Sequence, residues 1–142
     1  MKIKWFNKIK IVFFIIIPLL IVACDSNRVF DDYKEIPDGV WKRNAPIKFE
    51  IDIADTISPC NIYVNLRNSG DYPFKNLFLF IETSNGEYVK RDTFECVLSD
   101  DQGRKLGNGL GDLWDNQLLF KKHVRFPKSG KYSFTIYQAM RM

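Results

Sequence analysis

Between residues 47 and 53 the chain reads Ile-Lys-Phe-Glu-Ile-Asp-Ile, a strict two-residue repeat that only an extended strand can turn to use. Ile47, Phe49, Ile51 and Ile53 fall on one face of a strand, and Lys48, Glu50 and Asp52 on the other; a helix would scatter both sets around its axis. The same rhythm returns in Ile62, Val64 and Leu66 against Tyr63, Asn65 and Arg67. Residues 77–81, Leu-Phe-Leu-Phe-Ile, are continuously apolar and read as a central strand covered on both sides. Next, Val89, Arg91, Thr93, Glu95 and Val97 face one way, and Tyr88, Phe94, Cys96 and Leu98 the other. Late in the chain Leu118, Phe120, Lys122, Val124 and Phe126 alternate with Leu119, Lys121, His123 and Arg125, and a last strand carries Tyr132, Phe134 and Ile136 on one face. Turn chemistry separates these runs at Pro37-Asp38-Gly39, Ser58-Pro59, Ser84-Asn85-Gly86 and Pro127-Lys128-Ser129-Gly130. No amphipathic helical window intervenes. The expected fold is all-β: about seven or eight strands in a two-layer antiparallel β-sandwich, Ig-like or jelly-roll in path, with a small β-barrel as the alternative. A membrane barrel is not expected, because the outward faces carry charges where lipid requires apolar residues.

A different kind of segment precedes the strands. Lys2, Lys4, Lys8 and Lys10 lead into the apolar run 11–23, broken only by Pro18 and closed by Leu20-Ile21-Val22-Ala23-Cys24. Basic start, apolar middle and a small residue before the cut mark a secretory signal. The run falls short of the roughly 20 apolar residues a spanning helix needs. A cysteine at the cut reads as a lipoprotein site, its thiol taking a diacylglyceryl group and its freed amine a third chain. Each buried methylene contributes about 0.8 kcal/mol, and more than one chain makes the anchor stable. The expected organisation is therefore a signal peptide over 1–23, a lipidated tether over 24–28 starting at Cys24, and one domain over 29–142. The whole chain has 21 Lys+Arg against 17 Asp+Glu, but four of those lysines lie in the signal. The exported chain is balanced, which removes the case for a nucleic-acid partner. Export also permits a disulfide between Cys60 and Cys96, contributing about 3–4 kcal/mol if unstrained; the alternative is two thiols serving as small buried hydrophobes.

No catalytic set emerges. His123 stands among Lys121, Lys122 and Arg125 with no second ligand or base at a useful spacing. No cofactor, metal or small-molecule substrate is expected. Four glycines within residues 103–111 form the unusual stretch, and loops of this kind on a rigid sandwich commonly bind. The spacing of Gly107, Gly109 and Gly111 is wrong for a dinucleotide fingerprint. Asp100, Asp101, Asp112 and Asp115 allow a calcium reading, without the regular spacing of a known loop. Asp71, Tyr72, Pro73, Phe74 and Asn76, with Gly107, Gly109, Gly111, Asp112 and Trp114, form the candidate partner-binding surface. Exposed rings around Tyr72 and Trp114 would instead suit a glycan. Trp41 is expected at the edge of the core.

The chain resembles the gliding-motility lipoprotein family GldH of Bacteroidetes. The likeness is carried by Val29-Phe30-Asp31-Asp32-Tyr33-Lys34 with Ile36-Pro37-Asp38-Gly39, and by Asp71-Tyr72-Pro73-Phe74 with Asn76-Leu77-Phe78. It continues in Leu106-Gly107-Asn108-Gly109-Leu110-Gly111-Asp112, and in Phe126-Pro127 through Gln138-Ala139-Met140-Arg141. These blocks run in order through nearly the whole exported chain. The resemblance implies a non-enzymatic lipoprotein, anchored in the cell envelope with the outer membrane as its expected place. It further implies an accessory of the gliding machinery and the allied type IX secretion system, acting on other envelope proteins, with no catalytic residues to carry over. The rival reading is a cell-surface glycan-binding lipoprotein.

Overall fold

A computed structural model describes residues 28–141; the signal segment, the cysteine proposed for lipidation and most of the tether lie outside the described residues. Tyr33–Met142 forms one compact unit, and residues 28–32 belong to another, within which Arg28 pairs with Asp31.

Seven strands follow a short turn at Pro37–Gly39: β1 (Ile47–Ile53), β2 (Cys60–Ser69), β3 (Asn76–Ser84), β4 (Val89–Val97), β5 (Asn108–Leu110), β6 (Leu113–Val124) and β7 (Gly130–Gln138). The alternation of residues 47–53 gives β1, and Pro37, which presets its own torsion, opens the turn that leads toward it. The strands make two antiparallel sheets, ordered β1-β7-β3-β4 and β2-β6-β5. β1 pairs with β7 in one sheet, and the strands next to them in sequence, β2 after β1 and β6 before β7, pair in the other. A two-stranded ribbon therefore crosses from sheet to sheet, which is the jelly-roll path rather than the Ig one, and the sheets do not close into a barrel.

The core lies between the layers. Ile53, Leu77, Leu79, Ile81, Cys96, Tyr132 and Phe134 are buried on the four-stranded side, and Ile62, Val64, Leu66, Leu118 and Phe120 pack against them from the other sheet. Phe94 of β4 meets Phe120 of β6 edge-on, 5.2 Å between centroids. Trp41 packs against the same core while its indole N–H donates to the Ala45 carbonyl at 2.9 Å.

Two local expectations are corrected. β3 is central but covered on one face only: Leu79 and Ile81 are buried, whereas Phe80 is 37% exposed. In place of a third layer, the Arg91 guanidinium lies 5.8 Å from the Phe80 ring and 5.2 Å from Tyr137, held there by Glu82 at 2.9 Å. In β6 the register against β2 slips twice, so Ile62 faces Lys121 and Cys60 faces Val124. These bulges break the simple alternation. Lys121 turns inward to pair with Asp92 of β4, and Lys122 is exposed, the reverse of the two-residue pattern. His123 takes φ +53° in the second irregularity, its N–H donating to Asn61 Oδ1 at 3.0 Å.

Cys60 and Cys96 are free thiols, so the permitted bridge does not form. Cys60 starts β2, while Cys96 pairs with Leu77 near the start of β3, at the opposite end of the sandwich. Burial pushes the Cys96 thiol up to about 12, and raises that of Cys60.

Candidate interaction surface

Three connections converge at the end of the sandwich where β2 stops. In the first, between β2 and β3, the Tyr72 N–H donates to the Ser69 carbonyl at 3.2 Å and the Asp71 N–H to Ser69 Oγ at 3.1 Å. The Tyr72 hydroxyl donates to the Asn76 carbonyl at 3.1 Å, and its ring meets Phe74 at 5.7 Å. Burial lifts the Tyr72 hydroxyl above the ordinary phenol value.

The second connection, between β4 and β5, is organised by one carboxylate. Asp100 accepts from the N–H groups of Gln102 and Arg104 at 3.0 and 2.8 Å and from Arg104 Nε at 2.7 Å. Burial alone would raise its pKa, but these bonds outweigh it and hold the carboxyl below the usual aspartate range. Leu98 and Ser99 donate their N–H groups to the Lys75 carbonyl, Lys75 Nζ reaches Asp101 at 3.0 Å, and Lys105 Nζ donates to the Tyr72 carbonyl at 3.3 Å. The first two connections are thus sewn together.

The third is the hairpin β5–β6, in which Leu110 pairs with Leu113 across the turn Gly111-Asp112. Gly111 has φ +62° at the first turn position, where a two-residue hairpin of this kind requires glycine. Gly109 lies against the Trp114 ring, and a Cβ there would sit 3.0 Å from it. Gly107 abuts the Asp115 carbonyl and the Asn116 amide. The Gly70 N–H donates to the Asp112 carbonyl at 2.7 Å, tying this hairpin to the end of β2. Arg67 grips Asp115 with two bonds, 2.6 and 3.0 Å, which hold that carboxyl below its usual range and raise the guanidinium.

Both segments singled out in the sequence, 71–76 and 107–114, therefore meet at one end. Phe74, already named for this surface, is exposed; the glycine pattern does not point to the leucines beside it, Leu106, Leu110 and Leu113, which are exposed too, Leu110 at 83%. The signal was there, in two leucines flanking a Gly-Asp turn. Pattern reading also missed Asn116, a buried amide whose Nδ2 donates to Asn68 Oδ1 at 2.9 Å.

The arrangement suits contact better than chemistry. Asp100, Asp101 and Asp115 are each engaged by a cation, and among the described residues no group of three His, Cys, Asp or Glu is placed to hold a metal. His123 lies beyond this end, exposed in its bulge. Tyr72 and Trp114 are both half-buried, and the Tyr72 and Phe74 planes stand 67° apart, so they offer a sugar no common ring platform.

The profile of the GldH lipoprotein family matches residues 28–142. This chain belongs to that family. The gliding motility lipoprotein GldH of Flavobacterium johnsoniae is 38% identical over 125 residues, which is 87% of this chain and 76% of that protein. A GldH homolog of Christiangramia forsetii is 37% identical over 130 residues, 90% of this chain and 78% of its own length. No solved structure matches. The GldH resemblance read from the four sequence blocks is thus a family relationship, and the glycine-rich block and the Asp-Tyr-Pro-Phe block that carried it are the two segments that meet at this surface.

Proposed function

We propose that this protein is a non-enzymatic lipoprotein of the cell envelope, held in the outer membrane by acyl chains on Cys24, that grips another envelope protein with the loop end of its sandwich. Its setting is the gliding apparatus and the type IX secretion system allied to it, as an accessory component. The observation that carries the reading is the hairpin tip: Leu110 and Leu113 stand exposed on a short β-hairpin pinned by the Gly70–Asp112 bond, beside the exposed Phe74 and Leu106. Apolar side chains held out by an ordered scaffold favour a protein partner. The relative in Flavobacterium johnsoniae is named for gliding motility, which supports the setting.

The test is crosslinking followed by affinity purification from the organism's own cells, comparing the parent chain with Leu110→Asp/Leu113→Asp. The paired change is expected to remove the co-purifying envelope protein while leaving the thermal transition nearly in place, because exposed leucines contribute little burial. Recovery of the same partners would refute the surface. Cys24→Ser tests the anchor separately: the variant should leave the membrane fraction after a high-salt wash, and one that still pellets would refute lipid anchoring.

A further inference from the structure

Each sheet has two edges, and a strand edge is a row of unpaired N–H and C=O groups that templates another strand unless something blunts it. Three of the four edges here are blunted. Along β1, Lys34 Nζ donates to the Lys48 carbonyl at 2.5 Å and lies over the Phe49 ring. β4 turns a charge inward: Asp92 stands opposite Ile81 and pairs across the layers with Lys121. β5 is three residues long.

β2 has none of these devices. Its ten residues contain no Gly or Pro, alternate without interruption between half-buried and exposed, and carry no inward charge. The extra residues of both register slips lie in β6. Among the described residues, the one side chain from another strand or loop that bonds the backbone of residues 61–68 is Asn116, which comes from β6.

We propose that the free edge of β2 pairs antiparallel with the same edge of a second copy of this chain, joining two three-stranded sheets into one of six strands. Residues facing each other across an antiparallel pair must share a face, and centring the two-fold axis on Asn65 uses almost the full strand. That register is self-complementary. Asn65 faces itself, Val64 faces Leu66 of the second copy, and Tyr63 faces its Arg67. Arg67 is the single residue of β2 that is charged at neutral pH, so no like charges stand opposite one another. Its guanidinium is already balanced by Asp115, leaving its face to stack on the incoming ring. Tyr63 is 46% exposed and sits across the ladder from Leu119, 45% exposed, an apolar pair that the second copy would cover. This pairing is independent of the partner proposed for the loop end.

The test uses the full lipidated chain in its own membranes. Paired Asn65 residues would have Cα atoms about 4.5–5.5 Å apart, inside the roughly 4.4–6.8 Å that a disulfide spans. Oxidation of Asn65→Cys should give a species of twice the chain mass, above the background of the parent chain. Thr93→Cys, exposed on β4 of the other sheet, should not. The double variant Tyr63→Cys/Arg67→Cys should also crosslink, and adding Asn65→Lys, harmless on an exposed site of a monomer, should abolish that band by opposing two ammonium groups. The proposal is overturned by a folded Asn65→Cys chain that gives no dimer, by equal crosslinking at Thr93→Cys, or by a product whose mass shows a different protein on the edge.

Discussion

Replacing Gly107 with alanine probes whether the loop end is as closely packed as its distances say. A Cβ at this position would lie 2.5 Å from the Asp115 carbonyl oxygen, 2.7 Å from Asn116 Oδ1 and 2.9 Å from its Cγ. Carbon and oxygen meet without repulsion at about 3.3 Å. The Asp115 oxygen belongs to the main chain of β6 and cannot swing aside, so relief must come from lifting residues 106–108 or turning the Asn116 amide. Turning it disturbs Nδ2 bonds to Asn68 Oδ1 at 2.9 Å and to the Leu66 and Trp114 carbonyls at 3.3 Å. Overpacking costs about 1–3 kcal/mol, and a buried amide left unsatisfied costs about 1–3 kcal/mol more. Because the three-residue β5 can partly peel away, a loss of about 3 kcal/mol is expected. In a domain of this size that lowers Tm by roughly 9–18 °C. Thermal and urea melts followed by circular dichroism and tryptophan fluorescence measure it. Gly111→Ala is the control: nothing lies within 4 Å of its new Cβ, and its φ of +62° predicts strain of only about 1–2 kcal/mol. A Gly107→Ala chain within about 0.5 kcal/mol of the parent, or one less affected than Gly111→Ala, would refute the packing argument.

Other expectations follow from the same contacts. Lys121 and Asp92 pair across the layers with each side chain about a quarter exposed; Lys121→Ala should cost about 1–2 kcal/mol, between an exposed and a buried pair, while Lys121→Met/Asp92→Leu should come close to parent stability in urea melts. Cys96, fully buried and with its thiol pushed up to about 12, should resist alkylation in the folded chain, so its modification, followed by peptide mass mapping, should keep pace with unfolding as urea rises. Asp100 has a folded pKa below its unfolded value near 3.8. Its contribution is therefore complete above that value and lost as pH falls through the lower folded pKa. Amide exchange at Gln102 and Arg104 should accelerate only in that acidic window, and Asp100→Asn should remove the pH dependence; a carboxyl titrating at or above the ordinary value by NMR would contradict the geometry.

The architecture was legible where side chains report only which face they occupy. Ile47, Phe49, Ile51 and Ile53 named a half-buried strand and its limits, which coincide with β1. The alternation of Ile62, Val64 and Leu66 likewise persists through β2. Legibility ended where a side chain's surroundings come from elsewhere in the chain. Phe78 and Phe80 read as buried because nothing local announces that Arg91, paired through the β3–β4 ladder, will lie across the outer ring. Lys121 and Lys122 exchanged faces because a bulge inserts a residue without any change of composition, and the deciding contact, Asp92, is 29 residues away. The two loop segments named for the candidate surface lie at one end, yet their meeting depends on the Gly70 N–H reaching Asp112, a bond made by two backbones that sequence pattern cannot see.

That meeting changes what the glycine-rich stretch is taken to be. Each of its three spaced glycines answers a steric demand inside the protein: Gly107 to the Asp115 carbonyl, Gly109 to the Trp114 ring, Gly111 to a left-handed turn. None needs a ligand to explain it. Deleting residues 107–111 would therefore remove the support of the loop end along with any contact it makes, and a lost partner would say nothing about recognition. The residues left over after this accounting are the exposed ones, Leu106, Leu110 and Leu113, of which Leu110 stands furthest out at 83%. If the loop end binds, glycines hold the hairpin in shape and leucines meet the partner, so the two roles separate by substitution. Gly107→Ala should lower stability and reduce capture only as far as the hairpin loosens. Leu110→Asp/Leu113→Asp should abolish capture with the melt nearly unchanged. A chain in which the leucine pair alters neither capture nor stability would leave the whole stretch as scaffold, and the binding role would have to be sought on another face.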